Sequence, residues 1–364
     1  MTDEIKSLQE NDTWELVECP IDHDVINTRW VFHIKKWIDG SIEKQKGRFV
    51  AKGYMQIPGI DFNETYAPVV SHIVIRLLIA LATQYNLIIH QMDVKSTFLH
   101  GKIDMELYIE QPEMFEEWDH KTHIYKLKKG LYGLKQAEWI WNQTLYKHLI
   151  AYGYMSLESE PSIYIKCDTQ NDHIIIITVY VDDLQIACND IQMLNEAKDA
   201  FKMQFKMMDL GEVHHLLGLC ILQDKKCTLI DQMHYVKSIL KKTKMDNCKP
   251  MNTPMEPGLH LVSLLPDEEG YKIEEYWSIV GALNYAAVLT RPDISTAVRF
   301  LAWYMQKPGK THWNTLIWIL RYLHGTVNYG LVYHHNGNGI EVYCDSDWVG
   351  DHTDCKSTTG YVIT

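Results

Sequence analysis

The residues with the clearest chemical content are Asp182 and Asp183, in Tyr180-Val181-Asp182-Asp183, set between the apolar runs Ile174 to Val179 and Leu184 to Cys188. Two β-rich stretches meeting at a carboxylate pair predict a hairpin with both acids at its tip. Adjacent carboxylates repel, so a solvated turn or a bound cation must offset the cost. Asp-Asp is also ordinary turn chemistry that needs no ligand. A third acid shifts the balance. Asp93 closes His90-Gln91-Met92-Asp93, just after the run Leu87-Ile88-Ile89, so a strand ending in an acid would lie beside a hairpin carrying two more. Three oxygen donors at one sheet edge suit a hard divalent cation. Two such cations bridged by carboxylates serve an in-line phosphoryl displacement, which makes nucleotidyl transfer the leading chemistry.

The elements that must position these acids follow from spacing. Residues 13 to about 60 read as β-rich, with Trp30 to Ile34 and Phe49 to Ala51 as strands around a turn at Asp39-Gly40. Ile73 to Tyr85 has apolar residues at helical spacing and predicts a helix packed on a sheet. Trp139 to Tyr152 predicts a second helix ending near Gly153, and Lys198 to Phe205 and Gln232 to about Cys248 predict two more. Between Pro250 and Gly270 the composition breaks, with Pro254, Pro257, Gly258 and Pro266, which reads as a linker.

Composition bounds the function classes. The chain has 364 residues, 46% hydrophobic and 23% charged, enough for a globular protein of two or three subdomains. The first twenty residues carry acids and no apolar core, which argues against a secretory signal, and Arg76 interrupts the longest candidate span. The expectation is an intracellular protein, cytoplasmic or nuclear, not secreted and without a membrane partner. Eight cysteines show no Cys-x-x-Cys spacing, so free thiols are expected. His214-His215 and His334-His335 lack a partner at ligand spacing and read as surface or core histidines. The net charge of −12 opposes a nucleic-acid partner at first sight. Distribution matters more: Lys121, Lys126, Lys128, Lys129 and Lys135 form one basic segment and Lys237, Lys241, Lys242, Lys244 and Lys249 another, while Asp104 to Asp119 is acidic. Either basic segment by itself can be no more than a solvated face.

The chain also carries an ordered series of motifs: Asn11-Asp12-Thr13-Trp14-Glu15-Leu16-Val17, Arg29-Trp30-Val31-Phe32, Arg48-Phe49-Val50-Ala51-Lys52-Gly53-Tyr54, Ala67-Pro68-Val69-Val70, Gln91-Met92-Asp93-Val94-Lys95, Leu131-Tyr132-Gly133-Leu134-Lys135-Gln136 and Tyr180-Val181-Asp182-Asp183. Asp209-Leu210-Gly211-Glu212, Thr290-Arg291-Pro292-Asp293-Ile294, Leu320-Arg321-Tyr322-Leu323-His324-Gly325-Thr326 and Asp345-Ser346-Asp347-Trp348 follow. In these motifs the chain resembles the reverse transcriptases of copia-type LTR retrotransposons over nearly its whole length.

The resemblance implies an α+β right-hand polymerase over residues 13–255: fingers, a palm whose small antiparallel sheet is backed by helices, and a thumb. A connection region over 256–338 and the truncated start of an RNase H domain over 339–364, with incomplete RNase H-like strands, would follow. It implies an RNA-directed DNA polymerase in which Asp93 and Asp182 bind two Mg²⁺ ions, Mn²⁺ substituting, and Asp183 supports them. RNA or DNA template-primer and dNTPs would be the partners, and the second lysine segment would fall in the thumb beside the template-primer backbone. Phe98 matches the aromatic that lies beneath the incoming sugar and excludes a 2′-hydroxyl; the plainer reading is a core aromatic on a strand. Gln136 matches a nucleotide-contacting glutamine, and Arg48 with Lys52 matches cations that meet the triphosphate.

Departures from the family carry expectations too. Asp345 matches the first metal-binding acid of the RNase H domain, but the chain stops at Thr364, so the reading predicts no RNase H activity and an unpaired sheet edge. Trp139, Trp277, Trp318 and Cys355 stand where the family usually has arginine, and Ala137-Glu138 where it usually has Ser-Pro. Arginine to tryptophan or cysteine is what C-to-T change at CpG codons produces, so the alternative is a catalytically dead, decayed remnant that at most binds nucleic acid. A nucleotide cyclase would share the small sheet and acid pair, but no glycine-rich cyclase turn accompanies the acids. The chain reads as a piece of a longer polyprotein, with Met1 at an internal methionine.

Overall fold

The computed structural model describes residues 1–20, 23–36, 41–224, 226–259, 261–265, 267–335, 341–346, 357 and 359–363. The first helix, α1 (Thr2–Glu10), turns Ile5 and Leu8 into a core shared with a four-stranded sheet ordered Trp14–Glu18, His123–Leu127, Tyr108–Ile109 and Val25–Ile26. Trp14 stacks on Tyr125 with ring centroids 4.5 Å apart and meets the edge of Phe49 at 6.0 Å.

Phe49 belongs to a separate antiparallel ribbon, Thr28–Lys36 with Ile42–Ala51, longer than the two strands expected; its expected turn at Asp39-Gly40 lies outside the described residues. Because strand side chains alternate, Trp30, Phe32 and Phe49 share one face, and Val31, His33, Lys46 and Arg48 the other. The base of the ribbon is clamped. Ala51 N–H donates to Tyr132 O at 2.8 Å. A Cβ on Gly53 would lie 2.0 Å from Gly133 O, and one on Gly133 would lie 2.1 Å from Ala51 O, so neither position accepts a side chain without moving backbone.

The centre is a six-stranded antiparallel sheet in the order Met207–Glu212, Ile88–Val94, Asp183–Cys188, His173–Tyr180, Ile163–Asp168, Met155–Ser156. Both faces are covered. Helix α2 (His72–Gln84), capped by Ser71 Oγ, packs Ile75, Leu78, Ile79 and Ala82 against Ile89, Ile176 and Ala187. On the opposite face, α3 (Ala137–Ala151) and α4 (Ile191–Gln204) meet Ile175, Ile177, Leu184 and Ile186. Helix α4 begins seven residues before the expected Lys198, where the Asp190 carboxylate accepts the Met193 N–H at 2.7 Å as an N-cap.

Helix α5 (Met233–Lys242) stops short of the expected Cys248, ending at Thr243 and a left-handed Lys244. It shares one core with α6 (Ile273–Leu289), α7 (Ser295–Trp303) and α8 (Lys310–Gly325), through Val236, Tyr276, Leu283, Leu301 and Leu320. The described residues of 250–270 form neither helix nor strand, and Met251, Met255 and Leu261 pack against that same core. A small sheet ordered His215–Leu216, Leu219–Gln223, Cys227–Asp231, Gly330–His334 ties the chain on either side of that segment together. Val342–Ser346 pairs with Thr359–Ile363 as an exposed two-stranded ribbon. No helix among the described residues is long and apolar enough to cross a membrane.

Candidate active site

The two strands His173–Tyr180 and Asp183–Cys188 are joined by two residues, Val181 and Asp182, with Tyr180 opposite Asp183. Only the first turn residue has a positive φ, Val181 at 57°, the sign pattern of a type II′ hairpin turn that ordinarily takes glycine. A β-branched residue there is strained by about 1–3 kcal/mol. The turn is held from α3: the Trp141 indole N–H donates to Val181 O at 2.7 Å.

Asp183 is directly opposite Asp93 on the neighbouring strand, and Val94 N–H donates to Asp182 O at 3.0 Å. Opposed residues share a face, so the Asp93 and Asp183 side chains stand side by side with Asp182 at the adjoining tip. One step down, Gln91, Gln185 and Thr178 form a second polar row across the same three strands. Gln91 Nε2 donates to Asp183 Oδ1 at 3.0 Å, and Thr178 Oγ1 to Gln185 Oε1 at 2.6 Å. Gln185 Nε2 is buried with no hydrogen-bond partner among the described residues.

The electrostatics of the row are unrelieved. Burial pushes the Asp93 carboxyl above its ordinary value, and the charges of Asp182 and Asp183 add to the rise, with Lys46 and Lys95 opposing it. Burial also raises Asp183; the Gln91 hydrogen bond opposes this and Asp182 reinforces it. None of the three acids makes an ion pair among the described residues. The donors are carboxylate oxygens, the kind a hard divalent cation takes. As placed, however, no three His, Cys, Asp or Glu side chains among the described residues enclose a point. The acids share a row without forming a finished cage.

The basic face of the ribbon supplies the opposite charge. Lys46 is among the groups whose field reaches Asp93. Arg48 lies with its guanidinium 4.9 Å from the centre of the Tyr132 ring, and its buried Nε has no partner among the described residues. Phe98 meets that ring edge-on at 4.7 Å. Phe98 is buried but sits on the 3-10 turn Thr97–His100, so the plainer expectation of a strand position does not hold. Ser96, left-handed at φ 54°, ends the preceding strand. Lys52 follows the ribbon directly, half-buried, with its N–H on Asn27 O at 2.8 Å.

Gln136, at the start of α3, is buried. Its Nε2 donates to Asp61 O at 2.9 Å and its Oε1 accepts from Gln56 Nε2 at 3.0 Å, while Gln56 Oε1 accepts the Lys135 N–H at 2.7 Å. Asp345 lies on the exposed strand Val342–Ser346, accepting only its neighbour's N–H from Ser346 among the described bonds. Of the basic segments, the first is partly neutralised: Lys126 pairs with Glu106, and Lys128 with Asp12 and Glu15. The second is exposed around α5 and makes no ion pair among the described residues. Sequence reasoning missed Lys46 and Gln91, though each lies two residues before a chosen residue on a strand and so shares its face. The bond from Trp141 to the turn carried no sequence signal.

The family described as reverse transcriptase (RNA-dependent DNA polymerase) matches residues 11–257. The retrovirus-related Pol polyprotein from transposon TNT 1-94 of Nicotiana tabacum is 38% identical over the whole chain, and that from transposon RE1 of Arabidopsis thaliana 37%. The transposon Ty1-BR Gag-Pol polyprotein of Saccharomyces cerevisiae is 27% identical over 85% of the chain. The chain spans 28%, 25% and 18% of the lengths of these three relatives. With more than half of its length matched and its acids gathered in one row, the chain belongs to the reverse transcriptase family, as a domain of the copia-type retrotransposon Pol polyprotein kind.

Proposed function

We propose that the chain is a template-directed DNA polymerase acting by two-metal nucleotidyl transfer. The observation that carries this reading is the cross-strand Asp93–Asp183 pair with Asp182 at its tip, set across from a basic ribbon face. Asp93 and Asp182 would hold two Mg²⁺ ions, with Asp183 oriented by Gln91 beside them. When bound, the ions supply charge neutralisation of the attacking primer 3′-oxygen and of the leaving pyrophosphate. Lys46, Arg48 and Lys52 bind the incoming triphosphate, Arg48 through its guanidinium fork. Tyr132 touches both Arg48 and Phe98, so the aromatic that excludes a 2′-hydroxyl and the phosphate-binding arginine are set by one ring. Gln136 acts by holding the Gln56–Asp61 loop beneath the nucleotide. In this reading the six-stranded sheet is the palm, the ribbon part of the fingers, and α5 the thumb element whose lysines follow the template-primer backbone.

Two of the three tryptophans that stand in place of arginine keep a side-chain donor in use, and Cys355 lies outside the described residues. Trp277 N–H donates to Met305 O, and Trp318 N–H donates to Thr253 O at 2.9 Å. Trp139 is half-buried on α3. The decisive experiment is primer extension on poly(rA)·oligo(dT) with Mg²⁺ or Mn²⁺, next to an Asp182→Asn, Asp183→Asn control. Extension that disappears in the control supports the reading. No extension from a cooperatively folded protein would leave a nucleic-acid-binding remnant as the better account.

A further inference from the structure

We infer that Trp141 is a positioning residue for the catalytic turn: its indole N–H, bonded to Val181 O, holds a backbone conformation that valine resists and thereby sets where Asp182 and Asp183 stand. The inference rests on the polymerase reading for its purpose, though not for its geometry.

Three observations meet at this bond. Val181 is left-handed at φ 57° in the first position of a two-residue turn, a conformation that a β-branched residue resists. The bond, at 2.7 Å, joins residues 40 apart in sequence, so the turn is held by a separate element and not by its own strands alone. Trp141 is itself immobilised. It is buried on α3, with its ring 5.2 Å from Phe205 edge-on and 6.0 Å from His100. Phe205 closes α4, and His100 ends the 3-10 turn that carries Phe98. One side chain therefore refers the acid-bearing turn to the element bearing Phe98, the aromatic read as excluding a 2′-hydroxyl. On the other side, Asp182 O accepts Val94 N–H, next to Asp93, so a shift of the turn changes the spacing of all three acids together.

A tryptophan in a core is usually retained for its volume, and the test must separate that from the N–H. Trp141→Phe keeps an aromatic against Phe205 and removes the donor. Phe205→Leu disturbs the same ring cluster and keeps the donor. Val181→Gly allows the left-handed turn without restraint. Hydrogen exchange of peptides covering residues 179–184 is measured in the whole chain, together with the Mg²⁺ concentration giving half-maximal primer extension.

Trp141→Phe is expected to speed exchange of this segment by about fivefold or more, and to raise the Mg²⁺ requirement by a similar factor. Val181→Gly in the same chain should return both to within about twofold of the parent, and Phe205→Leu, which loosens the ring but keeps the donor, should move each by clearly less than Trp141→Phe does. Unchanged exchange in Trp141→Phe, failure of Val181→Gly to rescue, or equal effects from Phe205→Leu would overturn the inference. Faster exchange with an unmoved Mg²⁺ requirement would overturn the positioning role. If exchange behaves as expected while no protein extends a primer, the hold on the turn stands and the polymerase reading fails.

Discussion

At Asp93 and Asp183 two half-buried carboxylates face each other with no ion pair of their own among the described residues, whereas the partly exposed carboxylate of Asp293 is held by several donors from within the chain. Arg291, fully buried, reaches Asp293 through Nε at 3.0 Å and Nη2 at 2.7 Å, Tyr322 OH donates to it at 2.8 Å, and the guanidinium spends its remaining donors on Thr326. Burial would raise the Asp293 carboxyl, yet the Arg291 and Tyr322 hydrogen bonds bring it below its ordinary value. Asp209 behaves alike: burial pushes it up, but the bonds from Lys198, Gly211 N–H and Lys202 hold it down at about 2. An acid answered from within the chain belongs to the fold. Acids that repel one another carry a cost that a proton or a bound cation relieves, a pattern that marks a candidate site.

The comparison can be broken at several places. Replacing Asp182 and Asp183 by asparagine should lower primer extension by about 10⁴-fold, some 5 kcal/mol of barrier, while leaving the protein folded; extension within tenfold of the parent would remove the site from the chemistry. Arg291→Ala should do the reverse, costing about 3–5 kcal/mol in urea titration, because it removes a fully buried side chain together with its bonds to Asp293 and Thr326. A loss below about 1 kcal/mol would mean that the cluster is not structural.

Asp209→Asn should destabilise by about 1–2 kcal/mol at neutral pH, a figure discounted for partial exposure. A depressed carboxyl stabilises the fold above its ordinary value of 3.8 and loses that contribution as pH falls through about 2, so the difference between parent and variant should shrink over that window. Asp93→Asn carries the opposite sign. A raised carboxyl contributes stability fully below 3.8 and loses it as pH rises through the folded value. The asparagine variant should therefore be more stable than the parent at pH 7, with no advantage below pH 3.8. Mg²⁺ should raise the melting temperature of the parent and not of this variant.

The acid site was legible because its parts lie in contiguous motifs: a strand running into Asp93, and a hairpin whose two arms are written on either side of Asp182-Asp183. Helix α2 was legible for the same local reason, its apolar spacing. The misreadings arose where one residue stops or starts an element. Ser96 in a left-handed conformation turns the chain after Val94, so Phe98 falls on a 3-10 turn, and Asp190 starts α4 early by capping it. Longer-range effects left no trace in spacing. Asp12, Glu15 and Glu106 neutralise two lysines of the first basic segment, and Trp141 reaches Val181 across the sheet.

The glycine crossing at Gly53 and Gly133 makes the basic ribbon a cantilever. Its strands of nine and ten residues carry the far end roughly 30 Å from that clamp, at about 3.3 Å per residue. Arg48 is three residues from Ala51, roughly 10 Å out. A tilt of about 5° at the clamp would then move the far end by roughly 2.6 Å and Arg48 by under about 1 Å, by the same geometry. The proposed triphosphate grip at Arg48 would thus sit near the fulcrum, where swinging of the outer ribbon scarcely disturbs it.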